Sequence, residues 1–130
     1  MEVLVHQENN RNNGPLKFFY DIMIPNPAYK IRFLIKKNSV LSVVEINEVA
    51  YFYFEDKLAF IKLWNNTKVP LDYSLKQLET MVDPVNFFRI NKRYIITIAS
   101  IEKMYYVSQS RIKVHLKPKN ENDSADIFVA

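Results

Sequence analysis

The sequence predicts a mainly β domain with one short α-helix, and three observations carry that reading. Apolar residues recur with period two in short runs such as "IRFLIKK" and "RIKVHL", the pattern of half-buried strands. β-Branched and aromatic residues crowd "VAYFYF" and "LAFIKLW". Helical spacing of apolar residues is clear only in "SLKQLETMV". At 130 residues, 48% hydrophobic and 25% charged, the chain has the size and composition of one globular domain.

Taken in order, residues 1–28 read as an N-terminal lead-in or linker. "QENNRNNG" is polar and turn-like, and "IPNPAY" holds two prolines that discourage regular structure. Between them "LKFFYDIMI" is apolar, either a strand or helix docking on the domain or the remnant of a joint to something further. The domain proper runs from 29 to 130. Ile31, Phe33 and Ile35 alternate with Arg32, Leu34 and Lys36. "EINEVAY" has room for a single helical turn before the strand "VAYFYF", and "WNNTKV" reads as a hairpin because Asn tolerates positive φ. Further turns fall at 37–39, 55–57 and 108–110. Glycine occurs once, at Gly14, so Asn, Asp and Ser must supply the turn chemistry.

The helix is expected over about 74–82. Ser74 with Gln77 three residues on is a capping-box arrangement, and Leu75, Leu78, Met81 and Val82 form one apolar stripe. Asp83-Pro84 ends it, since the residue before proline resists the α region. In "RIKVHL", Ile112, Val114 and Leu116 take one face and Arg111, Lys113 and His115 the other.

Several chemistries are excluded. Without cysteine there is no disulfide or thiolate, which fits a reducing compartment. One glycine cannot build a phosphate loop, and two histidines, His6 and His115, make a poor zinc site. His115 reads as solvated or phosphate-facing. Glu55 and Asp56 are adjacent, so on a strand they would face opposite ways; a turn accounts for them better than an acid–base pair. Ser108 and Ser110 have no evident base. No enzyme, cofactor or metal is expected. No apolar run approaches the ~18 residues of a membrane span, so a soluble protein of the cytoplasm is expected.

Charge is informative through its distribution. Net charge is +4 with pI about 9.2. Between Phe87 and Lys119 lie eight basic residues against one acidic, Glu102, a net of +7, so the remainder carries −3. A basic half joined to an acidic half suggests a polyanionic partner.

Within that basic half, "FFRINKRYIIT" interrupts strand material with Arg89, Asn91, Lys92 and Arg93. Neighbouring cations on a strand cannot both point inward without a large desolvation penalty. The strand must therefore break near Ile90-Asn91, leaving a short basic loop exposed between Phe88 and Tyr94 as anchors. Lys and Arg can donate to guanine O6 and N7, and Asn can pair with adenine.

The same residues carry a resemblance. "FFRINKRYIITIASIEKM" resembles the signature of the LytTR family of DNA-binding domains, the output domains of many bacterial response regulators. Phe87, Arg89, Ile90, Asn91, Lys92, Tyr94, Ile95, Ile96 and Ile101 fit its pattern in register. The likeness extends through "EINEVAYFYFEDKLAFIKL", "YSLKQLETMVDP" and "SQSRIKVHLKP", covering about 31–129, and its wording is similar to that of Bacteroidetes regulators. It implies an elongated fold of small antiparallel sheets in which loops enter successive major grooves of double-stranded DNA. It also implies site roles: Lys92 as base contact, Arg93 as phosphate or base contact, and Asn91 as support of the loop. Lys57, in the turn before "LAFIKL", becomes a second reader, and Arg89 a loop brace or phosphate contact. Two copies on direct repeats and a preceding receiver domain in the parent protein are family expectations, with no membrane partner. There are two departures. Arg93 replaces a Ser common in the family, and the chain ends at "DIFVA" where the family continues with Ser-Arg and a basic segment. It therefore reads as a C-terminally truncated output domain of a two-component transcriptional regulator. The competing readings are a β-rich protein-interaction module with a basic face and a single-strand or RNA-binding domain using exposed Tyr and Phe.

Overall fold

The computed structural model describes residues 29–120 and 127–130, together with the strand Glu2–Val3 and Pro15. The apolar stretch "LKFFYDIMI" lies outside the described residues.

Three antiparallel sheets are stacked. The first has the order β1 (Glu2–Val3), β2 (Arg32–Lys37), β3 (Val40–Glu45). The central one has five strands, β6 (Lys68–Leu71), β5 (Leu58–Leu63), β4 (Val49–Glu55), β8 (Tyr94–Thr97) and β7 (Phe87–Arg89). The third has the order β11 (Ile127–Phe128), β10 (Arg111–Leu116), β9 (Ile101–Ser108). The one described helix of any length, α1 (Leu75–Met81), joins β6 to β7. The expectation of small antiparallel sheets with one short helix is borne out.

The helix begins as its sequence dictates. Gln77 N donates to Ser74 Oγ at 3.1 Å, and Ser74 N donates to Gln77 Oε1 at 2.9 Å. Leu75, Leu78 and Val82 are buried, so the stripe faces the core. Past Val82, the Asp83 carboxylate accepts from Val85 N at 2.9 Å and turns the chain toward β7. Turns without glycine place Asn38, Asp56, Lys57 and Asn66 at φ 57°, 51°, 67° and 76°. Asp56-Lys57 is thus a two-residue hairpin turn with both residues left-handed, which suits the twist of β4 and β5.

The central sheet is buried on both faces. Phe52, Ile61, Val69, Phe87 and Ile95 meet Phe33, Ile35 and Val44 of the first sheet, Leu75 and Leu78 of the helix, and Val82 at its C-cap. Tyr51, Tyr53, Phe60, Tyr94 and Ile96 face the other way and meet Val114 and Leu116 of β10. A bulge between Val49 and Tyr51 shifts register against β5. It explains why Val49 joins the first cluster while Ala50 and Tyr51 both join the second.

The structure corrects two details. Phe88 is not an anchor of the basic loop: it is 40% exposed, whereas Phe87 is 8% exposed, pairs with Thr97 and packs on Phe52 at 5.6 Å. Strand alternation seats only one of two consecutive aromatics, and the register of β7 against β8 chose the first. Ile112 shares a face with Val114 and Leu116, as alternation predicts, but is exposed because it lies near the hairpin tip, opposite the exposed Tyr106.

Candidate nucleic-acid interface

The strand break expected near Ile90-Asn91 is present: β7 ends at Arg89 and β8 starts at Tyr94. Ile90 N donates to Tyr94 O at 3.1 Å and closes the neck of the loop. Three of the four polar side chains in and beside it turn back onto the protein. Arg89 donates from Nε to Asn91 O at 3.0 Å and from Nη2 to Lys92 O at 3.1 Å. Its Nη1 reaches Glu79 of the helix at 3.2 Å. Asn91 uses both ends of its amide. Oδ1 accepts from Arg93 N at 2.7 Å, and Nδ2 donates to Phe128 O at 2.8 Å. Arg93 donates from Nε and Nη2 to Phe54 O at 3.3 and 3.2 Å.

Lys92 differs from all three. It is exposed, and among the described residues nothing engages its ammonium group. The same holds for Lys57 in the turn between β4 and β5. Arg93 ties that turn to the loop, since Phe54 N also donates to Arg93 O at 2.9 Å. The five residues singled out in the sequence thus come together at one end of the central sheet. A concavity of about 640 Å³ lies there, bounded by Phe54, Asp56, Ser74, Lys76, Lys92 and Arg93.

The electrostatics favour an anion. Glu55 is buried and engaged by Lys68 at 3.3 Å, so its charge is balanced from within. Behind the loop, burial and then the Glu55 charge push the Tyr53 hydroxyl up to about 12, and it stays neutral. Asp56 is the carboxylate exposed at the turn itself.

Three partners escaped sequence reasoning: Phe128 O under Asn91, Phe54 O under Arg93, and Glu79 beside Arg89. Two are backbone carbonyls 37 and 39 residues away, and no local pattern marks a carbonyl. Glu79 had a weak signal, as an exposed acid on the outer face of a helix just before a basic loop.

His115 is exposed on the outer face of β10, with its ring edge against Tyr105 at 5.0 Å. Among the described residues no group of three His, Asp or Glu could hold a metal, and no helix is long and apolar enough to cross a membrane.

Comparison with known proteins adds three findings. The family model described as LytTr DNA-binding domain matches residues 39–124. An uncharacterized response regulatory protein of Vibrio cholerae is 27% identical over 93 residues, which are 69% of this chain and 36% of that protein. The chain therefore spans little more than a third of that relative's length. A solved LytTr DNA-binding domain, from a Bacillus cereus protein described as a methyl-accepting/DNA response regulator, superimposes with a TM-score of 0.62 at 18% identity. The match covers 78% of this chain and 87% of the other, and it supports the fold.

Proposed function

The chain belongs to the LytTR family of DNA-binding domains, and from that premise we propose that it binds double-stranded DNA sequence-specifically, reading the major groove with two loops. One observation carries the reading. The backbone of loop 90–93 is fixed by Arg89, Asn91 and Arg93, while Lys92 alone projects from it, beside a turn that presents Lys57. A lysine on a fixed stem can donate to guanine O6 and N7, and a preorganised loop loses little entropy on binding. Arg93, held along one edge by Phe54 O, keeps Nη1 for a phosphate or base. Asn91 and Arg89 act as braces. They set the geometry of Lys92 rather than touch bases.

The domain works as the output module of a cytoplasmic two-component response regulator, with a receiver domain elsewhere in the parent protein and two copies bound on repeated half-sites. The test is selection from a random duplex pool, followed by titration of the chosen duplex and of each single strand at two salt concentrations. Enrichment of a motif, with duplex bound more tightly than either strand, is expected. Equal binding of single strands would favour the stacking alternative, and failure to enrich any sequence would favour a protein-interaction module.

A further inference from the structure

The β9–β10–β11 sheet has two chemically different faces. Cross-strand register pairs Ile112 with Tyr106 and Val114 with Met104 on one of them. Val114, with Leu116 and Ile127, packs that face onto the tyrosine side of the central sheet. The opposite face therefore points away from the core. Register places Lys113 beside Tyr105 and Phe128, and His115 beside Lys103. Alternation adds Arg111. This outer face combines three cations and a histidine with two rings, and the rings hold two of the cations. Arg111 lies 3.9 Å above the Phe128 ring, Lys113 lies 5.3 Å above Tyr105, and Tyr105 meets His115 edge-on. Glu102 is exposed and sits unpaired at the register shift between the Lys103–His115 and Ile101–Leu116 pairs.

Phe128 joins this face to the reading loop. Its ring supports Arg111, and its carbonyl accepts from Asn91 Nδ2 at 2.8 Å. Ala130 N adds a bond to Ile90 O at 2.8 Å. The sheet is thus bonded directly to the loop that presents Lys92.

We infer that this outer face is a phosphate-tracking ribbon that extends the duplex contact beyond the reading loops along one flank of the bound site. Alternate residues of a strand lie ~6.8 Å apart, so Arg111 to His115 spans ~14 Å. A duplex carries one charge per ~1.7 Å, so a row of that length meets several phosphates. Lysine and arginine stacked on rings are held in place before binding, as backbone contacts that fix register require.

The inference rests on the duplex-binding reading, and its test separates the two. The variant Lys103→Gln/Lys113→Gln is titrated with wild type on a selected duplex and a scrambled one, across a salt series. The slope of log K against log salt should fall by about 0.9 for each phosphate no longer neutralised, equally on both duplexes, leaving their affinity ratio unchanged. Trimming the duplex one flank at a time should abolish the difference between variant and wild type on one side only. Arg111→Lys, which keeps the charge, should leave the slope alone. An unchanged slope overturns the ribbon even if wild type selects its site. So does a symmetric flank effect, or a weakening confined to single strands. A wild type that fails to discriminate between duplexes sinks the proposed function, while the slope on the scrambled duplex still reads the ribbon. Should the double variant not fold, Lys103→Gln alone, at an exposed side chain with no partner among the described residues, gives the same reading at half the size.

Discussion

The two faces of the central sheet are built from different chemistry. The face covered by β2, β3 and the helix is mainly hydrocarbon: Phe33, Ile35, Phe52, Ile61, Leu78 and Ile95 contribute no polar atom. The face covered by β10 and β11 is rich in tyrosine, with Tyr51, Tyr53 and Tyr94 within about 6 Å of one another. Hydrocarbon contacts are non-directional and stabilise in proportion to buried area. A tyrosine adds a hydroxyl that can bond only to a partner at a defined place. Tyr51 does so, donating to Pro118 O at 2.6 Å just past β10. The first face therefore holds the domain together. The second fixes where the β9–β10–β11 sheet sits, and that sheet in turn braces loop 90–93.

The division can be broken from the hydrocarbon side first. Leu78→Ala removes a fully buried helix residue and should destabilise the domain by ~2–5 kcal/mol, read by urea unfolding. The folded fraction should bind DNA with unchanged preference. A loss of only a few tenths would mean that the helix is not part of the main core.

Lys30 is the polar exception beside that face. It is 8% exposed, its Nζ has no hydrogen-bond partner among the described residues, and it lies 5.7 Å from the centres of both Phe33 and Tyr73. Burial lowers its ammonium from the ordinary lysine value to about 8. The unfolded chain keeps that proton to higher pH, so between about pH 8 and the ordinary lysine pKa it binds more protons than the fold. Stability should therefore rise with pH across that window. Below about pH 8 both states carry the proton and the penalty is complete. Lys30→Met should stabilise the domain at about pH 7 by ~1–3 kcal/mol, a gain that shrinks toward zero near pH 10.5. A gain independent of pH would assign the effect to packing instead of charge.

At the loop braced by the tyrosine side, Lys92→Ala should weaken binding to a selected duplex by ~1–3 kcal/mol and relax base preference, with the melting temperature unmoved. An unchanged affinity would move base reading to Lys57 or Arg93.

The smallest effects sharpen the comparison through a difference in sign. Tyr51→Phe removes a satisfied hydroxyl and should destabilise by ~1 kcal/mol. Tyr53 is buried and its hydroxyl has no hydrogen-bond partner among the described residues, so Tyr53→Phe should be neutral or stabilising by a similar amount. If both variants became less stable by the same amount, placement of the hydroxyl would not distinguish the two positions.

The strands, the turns at Asn38, Asp56 and Asn66, the capping box of Ser74 and Gln77, and the break before Asn91 were legible in the sequence. Each is a near-neighbour matter of alternation, backbone sterics, or a side chain reaching three residues along the chain. So the sequence alone determined where elements begin and end and where cations must leave the core. Tertiary structure alone decided that Phe87 and not Phe88 is seated, that a bulge puts both Ala50 and Tyr51 on the tyrosine face, and that Lys30 is enclosed. It also decided which loop side chain is left unengaged among the described residues. Asn91 and Arg93 look as available as Lys92 in the sequence. Asn91 Nδ2 is taken up by the carbonyl of Phe128 and one edge of the Arg93 guanidinium by that of Phe54, and every residue carries such a carbonyl. Only the order of strands brings one particular acceptor within hydrogen-bonding distance of one particular donor.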